Sequence, residues 1–283
     1  MSKLKKLNHV RGVASNVVKI GIVGCGAIGS KLGVYIDKNL RSKVRLVAVS
    51  DRNQARIKAL KKKLKLKPKN LKINELIGKV DLVIETASWR CAKDILTQSL
   101  SLNKDVIILS VGVFIRYPGF LKKINQGKAK VYIPSGAICG IDGLGALSLG
   151  PIKRLTLVTS KPPASLKGVD YLAKKGIKLT GLKKEKVVFK GGIKSAIKYF
   201  PQNINVAATL CLASRKKDIQ VIIKANPKLK RNLHSWEVAG GASKIKVELE
   251  NFPSPDNPKT SFLTVLAVEN LLRKITSNLK IGS

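Results

Sequence analysis

The fold of this chain is decided by one stretch of sequence, Val18-Lys19-Ile20-Gly21-Ile22-Val23-Gly24-Cys25-Gly26-Ala27-Ile28-Gly29. Its first half is apolar and largely β-branched, which is typical of a buried strand. A G-x-G-x-x-G turn follows at Gly24, Gly26 and Gly29. Apolar residues then recur at every fourth position from Ile28 onward, which predicts a helix. The stretch therefore predicts a strand, a tight glycine turn and a helix.

Each residue of the turn has a distinct physical role in binding a dinucleotide. Gly24 permits the turn, Gly26 lets a diphosphate approach the backbone, and Gly29 lets the helix pack closely on the strand. The helix start at Ala27 and Ile28 offers free N–H groups and the positive end of the helix dipole. We expect all five residues to contact NAD or NADP. The alternative is a glycine-rich turn with no ligand.

An acidic residue stands where such a site needs one. A second apolar strand, predicted at 44–50, ends at Asp51, about 20 residues beyond the glycine motif. Its carboxylate can accept hydrogen bonds from a ribose hydroxyl, whereas the adjacent Arg52 can accommodate the 2′-phosphate of NADP. The pair predicts the use of both cofactors.

Further strands alternate with helical segments up to about residue 150. They are predicted at 80–85, 105–109 and 130–133. Such alternation favours an α/β fold with a Rossmann-type, doubly wound parallel sheet, in which ligands bind beyond the carboxyl ends of the strands. Small residues follow these strands and leave room for a ribose and a nicotinamide: Ala87, Ser88, Gly112, Gly136 and Ala137.

The pattern changes after Gly150, where strands follow one another with few helices between them. Strands are predicted at 154–160, 186–189, 219–225, 234–238 and 244–250, and helices at 192–199, 205–214 and 261–278. This favours a second α+β domain with a mixed or antiparallel sheet. The predicted organisation is a basic flexible tail (1–17), a dinucleotide-binding domain (18–150, completed by the C-terminal helix 260–283) and a substrate or catalytic domain (151–259).

The composition of the chain is strongly basic. Lys and Arg total 55 against 16 acidic residues, a formal net charge of +39. The lysines are spread along the chain and are not interleaved with aromatic residues, so we expect a lysine-covered surface that binds nucleic acid only non-specifically. Four scattered cysteines and two histidines give no metal-ligand spacing. No apolar run approaches the roughly 18 residues of a membrane span, and a cytoplasmic protein is expected.

Few residues can carry proton-transfer or nucleophilic chemistry. His9 lies in the basic tail, which leaves His234 as the candidate proton acceptor, although a lone histidine is more often structural. Cys139 could be a nucleophile with His234 as its base, but a small buried packing residue is the simpler interpretation. Asn203 and Asn205 could cap a helix or offer an amide to a nicotinamide or a substrate.

Several short stretches together resemble the L-aspartate dehydrogenase family, in family order. They are Gly24-Cys25-Gly26-Ala27-Ile28-Gly29, Glu85-Thr86-Ala87-Ser88, Pro134-Ser135-Gly136-Ala137-Ile138, Lys161-Pro162-Pro163, Phe200-Pro201-Gln202-Asn203-Ile204-Asn205-Val206-Ala207, Asn232-Leu233-His234 and Pro253-Ser254-Pro255-Asp256-Asn257-Pro258-Lys259-Thr260-Ser261. The resemblance implies NAD(P)-dependent oxidation of L-aspartate to iminosuccinate, which hydrolyses to oxaloacetate and ammonia or feeds NAD biosynthesis. It matches His234 to the family's catalytic histidine, and Ala137 and Asn205 to cofactor contacts.

Other functions remain open at this stage. The chain could be another Rossmann oxidoreductase, such as a semialdehyde dehydrogenase that uses Cys139, or a dinucleotide- or nucleic-acid-binding protein without turnover. A family member that binds NAD but has lost aspartate is a third alternative. The net charge and the basic tail depart from the family pattern. A homo-oligomer is expected, and the lysines are too numerous for the sequence to single out the partners of the substrate carboxylates.

Overall fold

The structure, a computed structural model, describes residues 17–200, 204–255 and 257–282. The predicted tail up to residue 16, with His9, and Asn203 lie outside the described residues. The first sheet has six parallel strands in the order β3-β2-β1-β4-β5-β6. These strands are β1 (Val18–Val23), β2 (Val44–Ser50), β3 (Lys69–Asn70), β4 (Leu82–Glu85), β5 (Asp105–Ile108) and β6 (Val131–Tyr132).

Helices cover both faces of this sheet. They are α1 (Ala27–Asn39), α2 (Gln54–Lys63), α3 (Ile73–Lys79), α4 (Trp89–Ser101), α5 (Gly112–Arg116) and α6 (Gly119–Gln126). The next helix, α7 (Ile141–Leu147), packs instead against the second domain, near Trp236 and Ile245. Side chains of α1 and α2, such as Leu32 and Leu60, pack with Ile20 and Ile84 of the sheet in one buried cluster. Side chains of α3 and α4 pack in a second buried cluster. The predicted doubly wound sheet is confirmed.

One strand of this sheet differs from the sequence prediction. Five strands are predicted, but the lysine-rich segment after α2 forms β3, which pairs with β2 through Ala48 and Val49. A two-residue strand is too short to show an apolar alternation, so its sequence pattern could not reveal it. The strand predicted to begin at Val80 begins at Leu82 instead.

The second sheet is mixed, as predicted, with the order β11-β10-β7-β9-β8. Its strands are β7 (Ile152–Lys161), β8 (Lys186–Gly192), β9 (Gln220–Ala225), β10 (Asn232–Gly240) and β11 (Lys244–Asn251). Its helices are α8 (Asp170–Lys174), α9 (Ile193–Tyr199) and α10 (Ile204–Ala213), with a 3₁₀ turn at Pro163–Leu166. Strands β7 and β9 are parallel, and the other pairs are antiparallel. Alternate residues of β10, including Trp236 and Val238, are buried on the face that carries the helices.

The chain ends back at the first sheet. A short hairpin of β12 (Pro253–Ser254) and β13 (Asn257–Ser261) leads into α11 (Phe262–Thr276). This helix packs on α1, with Val268 and Leu272 in the same buried cluster as Leu32. Within the described ranges, no helix is both long and apolar enough to cross a membrane.

Candidate active site

The glycine turn has the shape that a dinucleotide diphosphate requires. Gly24 has φ +100°, a left-handed conformation, and a Cβ there would lie 2.8 Å from the backbone of Thr86. A Cβ at Gly29 would overlap the carbonyl oxygen of Gly24. At Gly26, by contrast, a Cβ would meet nothing within 4 Å, and no side chain caps the start of α1. The open space and the uncapped N–H groups fit a diphosphate.

Asp51 is tied to the turn by backbone hydrogen bonds. Its Oδ2 accepts the N–H of Cys25 at 2.6 Å, and its Oδ1 accepts the N–H of Asn53 at 2.8 Å. Each oxygen keeps a second lone pair, so the carboxylate still can accept a ribose hydroxyl. These bonds hold the end of β2 against the glycine turn.

A cavity of about 250 Å³ lies between the two domains. Its lining residues are Ile28, Leu109, Val111, Pro134, Ser135, Gly136, Ala137, Lys161, Asn205, Val206, Thr209, Asn232, His234, Ser261 and Thr264. Five of the residues predicted from sequence therefore meet in one space, namely Ile28, Gly136, Ala137, Asn205 and His234. Because Ile28 belongs to the first turn of α1, the cavity begins at the glycine turn and reaches the second domain.

The other sequence candidates do not line this cavity. They are Gly24, Gly26, Ala27, Gly29, Asp51 and Ala87. The first five belong to the turn and to the adjoining end of β2. Ala87 is exposed just beyond β4, and its N–H donates to Glu85.

His234 is the buried imidazole of the cavity. It lies on β10, is only 7% exposed, and its Nδ1 lies 3.0 Å from Oγ1 of Thr159 on the neighbouring strand β7. Burial lowers its pKa to about 4, and the positive charge of Lys161 contributes. The ring is therefore neutral at pH 7. Its Nε2 has no hydrogen-bond partner among the described residues and is available to a ligand in the cavity.

Lys161 is the functional candidate that sequence reasoning missed. It ends β7 and is the lysine that lines the cavity with His234. Burial lowers the pKa of its ammonium group to about 8. The family-like Lys161-Pro162-Pro163 stretch was a signal for this position, but the large number of lysines concealed it.

Two asparagine side chains link the domains at the cavity. Oδ1 of Asn205 accepts the N–H of Gly112 at the start of α5, at 3.2 Å. Nδ2 of the buried Asn251 donates to the carbonyl oxygen of Ala137 at 3.1 Å, and Ser261 donates to its Oδ1 at 2.7 Å. Asn205 thus joins α10 to the first domain, and Asn251 fixes the loop that carries Ala137.

A buried acid shapes the ends of the central strands. Glu85 is fully buried and accepts hydrogen bonds from the N–H groups of Ala87, Leu109 and Ser110 and from the Ser110 hydroxyl. Burial raises the pKa of its carboxyl, and these hydrogen bonds oppose the rise. The side chain ties the end of β4 to the end of β5, at the edge where a cofactor would bind.

Cys139 corrects one sequence expectation. It was expected to be a small buried packing residue, but it is exposed and does not line the cavity. The preceding Ile138 occupies the core position of this loop, so the next side chain points outward. This placement gives no support to a Cys139 nucleophile paired with His234.

Comparisons with known proteins agree with this geometry. The protein-family model described as "Homoserine dehydrogenase, NAD binding domain" matches residues 24–134. The protein-family model described as "Aspartate dehydrogenase, C-terminal" matches residues 142–275. L-aspartate dehydrogenases of Methanosarcina acetivorans and Methanocaldococcus jannaschii are 42% and 38% identical to the chain, and in both cases the match covers 94% of this chain and 100% of the relative.

Solved structures give the same result. The crystal structure of Thermotoga maritima aspartate dehydrogenase is 28% identical, with a TM-score of 0.75 over 94% of this chain and 99% of that one. A homoserine dehydrogenase from Thiobacillus denitrificans is 15% identical with a TM-score of 0.59, over 92% of this chain and 73% of that one, and is similar in fold alone. With relatives near 40% identity along almost its whole length, the chain belongs to the L-aspartate dehydrogenase family.

Proposed function

We propose that this chain oxidises L-aspartate with NAD or NADP to iminosuccinate, which hydrolyses to oxaloacetate and ammonia or is used in pyridine nucleotide biosynthesis. One observation carries the proposal beyond family membership. His234 of the second domain lines the same cavity as Ile28 of the dinucleotide motif. A substrate in this cavity would touch both a cofactor and a neutral imidazole.

We assign dinucleotide binding to residues 18–150 with the C-terminal segment 260–283, and substrate binding to residues 151–259. The cofactor-binding residues divide by position. Gly24, Gly26, Ala27, Ile28 and Gly29 would hold the diphosphate, Asp51 the ribose, and Ala87, Ala137 and Asn205 the nicotinamide half. The open space at Gly26 and the uncapped helix start support the first assignment.

The chain's own groups supply positioning and proton transfer. A nicotinamide, when bound, would supply the acceptor for the hydride of aspartate Cα. His234, neutral and oriented by Thr159, accepts the proton lost from the substrate amine as the C=N bond forms, or the proton of the water that later attacks this bond. The cavity between the two domains would hold the reacting groups together.

We propose that both NAD and NADP are used. The Asp51 carboxylate favours a ribose hydroxyl, whereas the exposed Arg52 beside it offers a cation to a 2′-phosphate. The Asp51 carboxylate, held by two backbone hydrogen bonds, repels a 2′-phosphate, and the adjacent Arg52 cation offsets this repulsion, so the pair admits both cofactors.

We further propose that the enzyme is a cytoplasmic homo-oligomer. All four cysteines are free, as expected in a reducing compartment. The face of the second sheet opposite its helices carries the half-buried residues Val158, Ile222 and Ser235 beside the charged residues Arg154, Glu237 and Lys246. Val158→Arg should yield monomers by size-exclusion chromatography with light scattering, and a monomeric wild type would refute self-association.

Absorbance at 340 nm tests the activity directly. The purified protein is assayed with NAD and NADP against a panel of amino acids, and in reverse with oxaloacetate plus ammonia. We expect L-aspartate to be the preferred amino acid and the reverse reaction to require ammonia. Turnover of a semialdehyde, or NADH binding without turnover of any amino acid, would contradict the proposal.

A further inference from the structure

Lys161 occupies a position fixed by the strand register. In the pairing of β7 with β10, Thr159 lies opposite His234 and Ser160 lies opposite Leu233. Lys161 is the next residue of β7, and Asn232 is the residue of β10 that precedes Leu233. Because Lys161, Asn232 and His234 all line the cavity, one ammonium, one amide and one imidazole face the same small space.

The ammonium group of Lys161 has no hydrogen bond or ion pair with any described residue. Lys224 and Lys244 of the same sheet, in contrast, form ion pairs with Glu185 at 2.6 Å and with Glu237 at 3.3 Å. Removing an ammonium from water without a partner is unfavourable, which is why the pKa of Lys161 falls to about 8. An anion in the cavity would supply the missing partner.

A second cavity indicates where Lys161 lies in the site relative to the glycine turn. This neighbouring cavity, of about 500 Å³, is lined only by residues between 161 and 200, and Lys161 is the residue that it shares with the site cavity. Its cationic lining residues besides Lys161 are Lys167, Lys174, Lys175 and Lys198. Lys161 therefore stands at the end of the site that faces away from the glycine turn.

We propose that Lys161 binds the side-chain carboxylate of the substrate and thereby selects dicarboxylates. This inference rests on the proposed function, in which Cα must lie against the nicotinamide at the dinucleotide end. The side-chain carboxylate is the anionic group of aspartate farthest from that end. An ion pair there also neutralises the charge that faces His234.

The same contact gives specificity. An amino acid without a side-chain carboxylate would fill the cavity but leave the Lys161 ammonium unpaired and further desolvated. A site built to pair a charged group discriminates strongly against ligands that lack it, because its own group is then buried without a partner. Lys161 is thus assigned as a specificity-determining residue.

Binding of succinate and propionate to the enzyme–NADH complex tests the proposal without turnover. Succinate carries both carboxylates of aspartate, whereas propionate carries one. We expect Lys161→Met to weaken succinate binding by about 30- to 100-fold and to bring its dissociation constant close to that of propionate. Lys174→Met, which alters only the neighbouring cavity, should change neither constant more than about twofold. NADH affinity checks that each variant is folded.

Three outcomes would overturn the proposal. Equal weakening by the two variants would place the anion in the neighbouring cavity, and undiminished succinate binding to Lys161→Met would remove Lys161 from recognition. Equal loss of succinate and propionate would assign Lys161 to the carboxylate next to Cα. These outcomes are distinct from a failure of the proposed function alone. In that case the wild type would bind succinate in a Lys161-dependent manner but would not oxidise L-aspartate.

Discussion

Oγ1 of Thr159 lies 3.0 Å from Nδ1 of His234, across the paired strands β7 and β10. Both residues are buried, and they are direct partners in the strand register, so the sheet itself sets their distance. A hydroxyl at Nδ1 fixes the orientation of the ring and leaves Nε2 for the cavity. Thr159 is therefore a positioning residue for the proposed proton acceptor.

Replacement of Thr159 by valine tests this role. Thr159→Val keeps the shape of the side chain but removes the hydrogen bond, so we expect kcat to fall about 10- to 100-fold with unchanged affinity for NADH. Thr159→Ser keeps the hydroxyl and should retain most of the activity. The readout is the initial rate at 340 nm. Equal rates for the valine and serine variants would show that the Thr159 hydroxyl does not contribute to catalysis.

Replacement of His234 by alanine tests the proton acceptor itself. Proton transfer by a positioned side chain contributes about 10²- to 10⁴-fold, and we expect a loss of kcat in this range. The dinucleotide residues of the first domain are untouched, so fluorescence titration should give an NADH affinity within about twofold of the wild type. Near-normal turnover in His234→Ala would exclude His234 from the mechanism.

The cost of keeping Lys161 charged should appear as pH-dependent stability. The folded-state pKa of Lys161, about 8, is below its ordinary value of 10.5. The free energy of unfolding therefore decreases as the pH falls from about 10.5 to about 8, and the full value is restored above about pH 10.5. The shift corresponds to about 3 kcal/mol. Lys161→Met should therefore raise the free energy of unfolding at pH 7 by about 1–3 kcal/mol while it weakens substrate binding.

Urea unfolding at pH 7 and at pH 10 measures this effect. The advantage of Lys161→Met over the wild type should shrink at pH 10, where the wild-type ammonium has largely lost its proton. Lys174→Met, a change at an exposed lysine, should stay within about 0.5 kcal/mol of the wild type at both values. A destabilised Lys161→Met, or an advantage independent of pH, would contradict the assignment of Lys161 as a half-buried cation without a partner.

The sequence predicted those parts of the molecule that rest on local patterns. The glycine motif, β2 and the strand with His234 each carry an apolar period or a turn signal of their own. The two-residue strand β3 and the short helices α5 and α8 have too few residues to show a recognisable apolar period. Lys161, Thr159 and Asn251 depend on register and on contacts between domains, which one-dimensional spacing does not contain.

Cofactor choice tests the balance between Asp51 and Arg52. We expect kcat/KM for NAD and NADP to differ by less than about a thousandfold, because each residue favours a different cofactor. Arg52→Ala should lower kcat/KM for NADP about tenfold more than for NAD, since the lost cation faces only the 2′-phosphate. Lys58→Ala, an exposed change on α2, controls for net charge and should affect both cofactors equally. A parallel loss in Arg52→Ala would assign no cofactor role to the arginine.

The two glycines of the turn should respond to alanine in opposite ways. At Gly29 a methyl group would overlap the Gly24 carbonyl and lie 2.7 Å from Oγ1 of Thr86, so α1 must move away from β1. Gly29→Ala should lose about 1–3 kcal/mol of stability and its NADH binding.

At Gly26 the methyl group meets no protein atom within 4 Å, and the backbone angle φ of −71° suits alanine. Gly26→Ala should therefore unfold like the wild type but bind NADH at least about tenfold more weakly, because the methyl group fills the space left for the diphosphate. Unchanged NADH affinity in a stable Gly26→Ala would mean that the diphosphate does not lie on this turn.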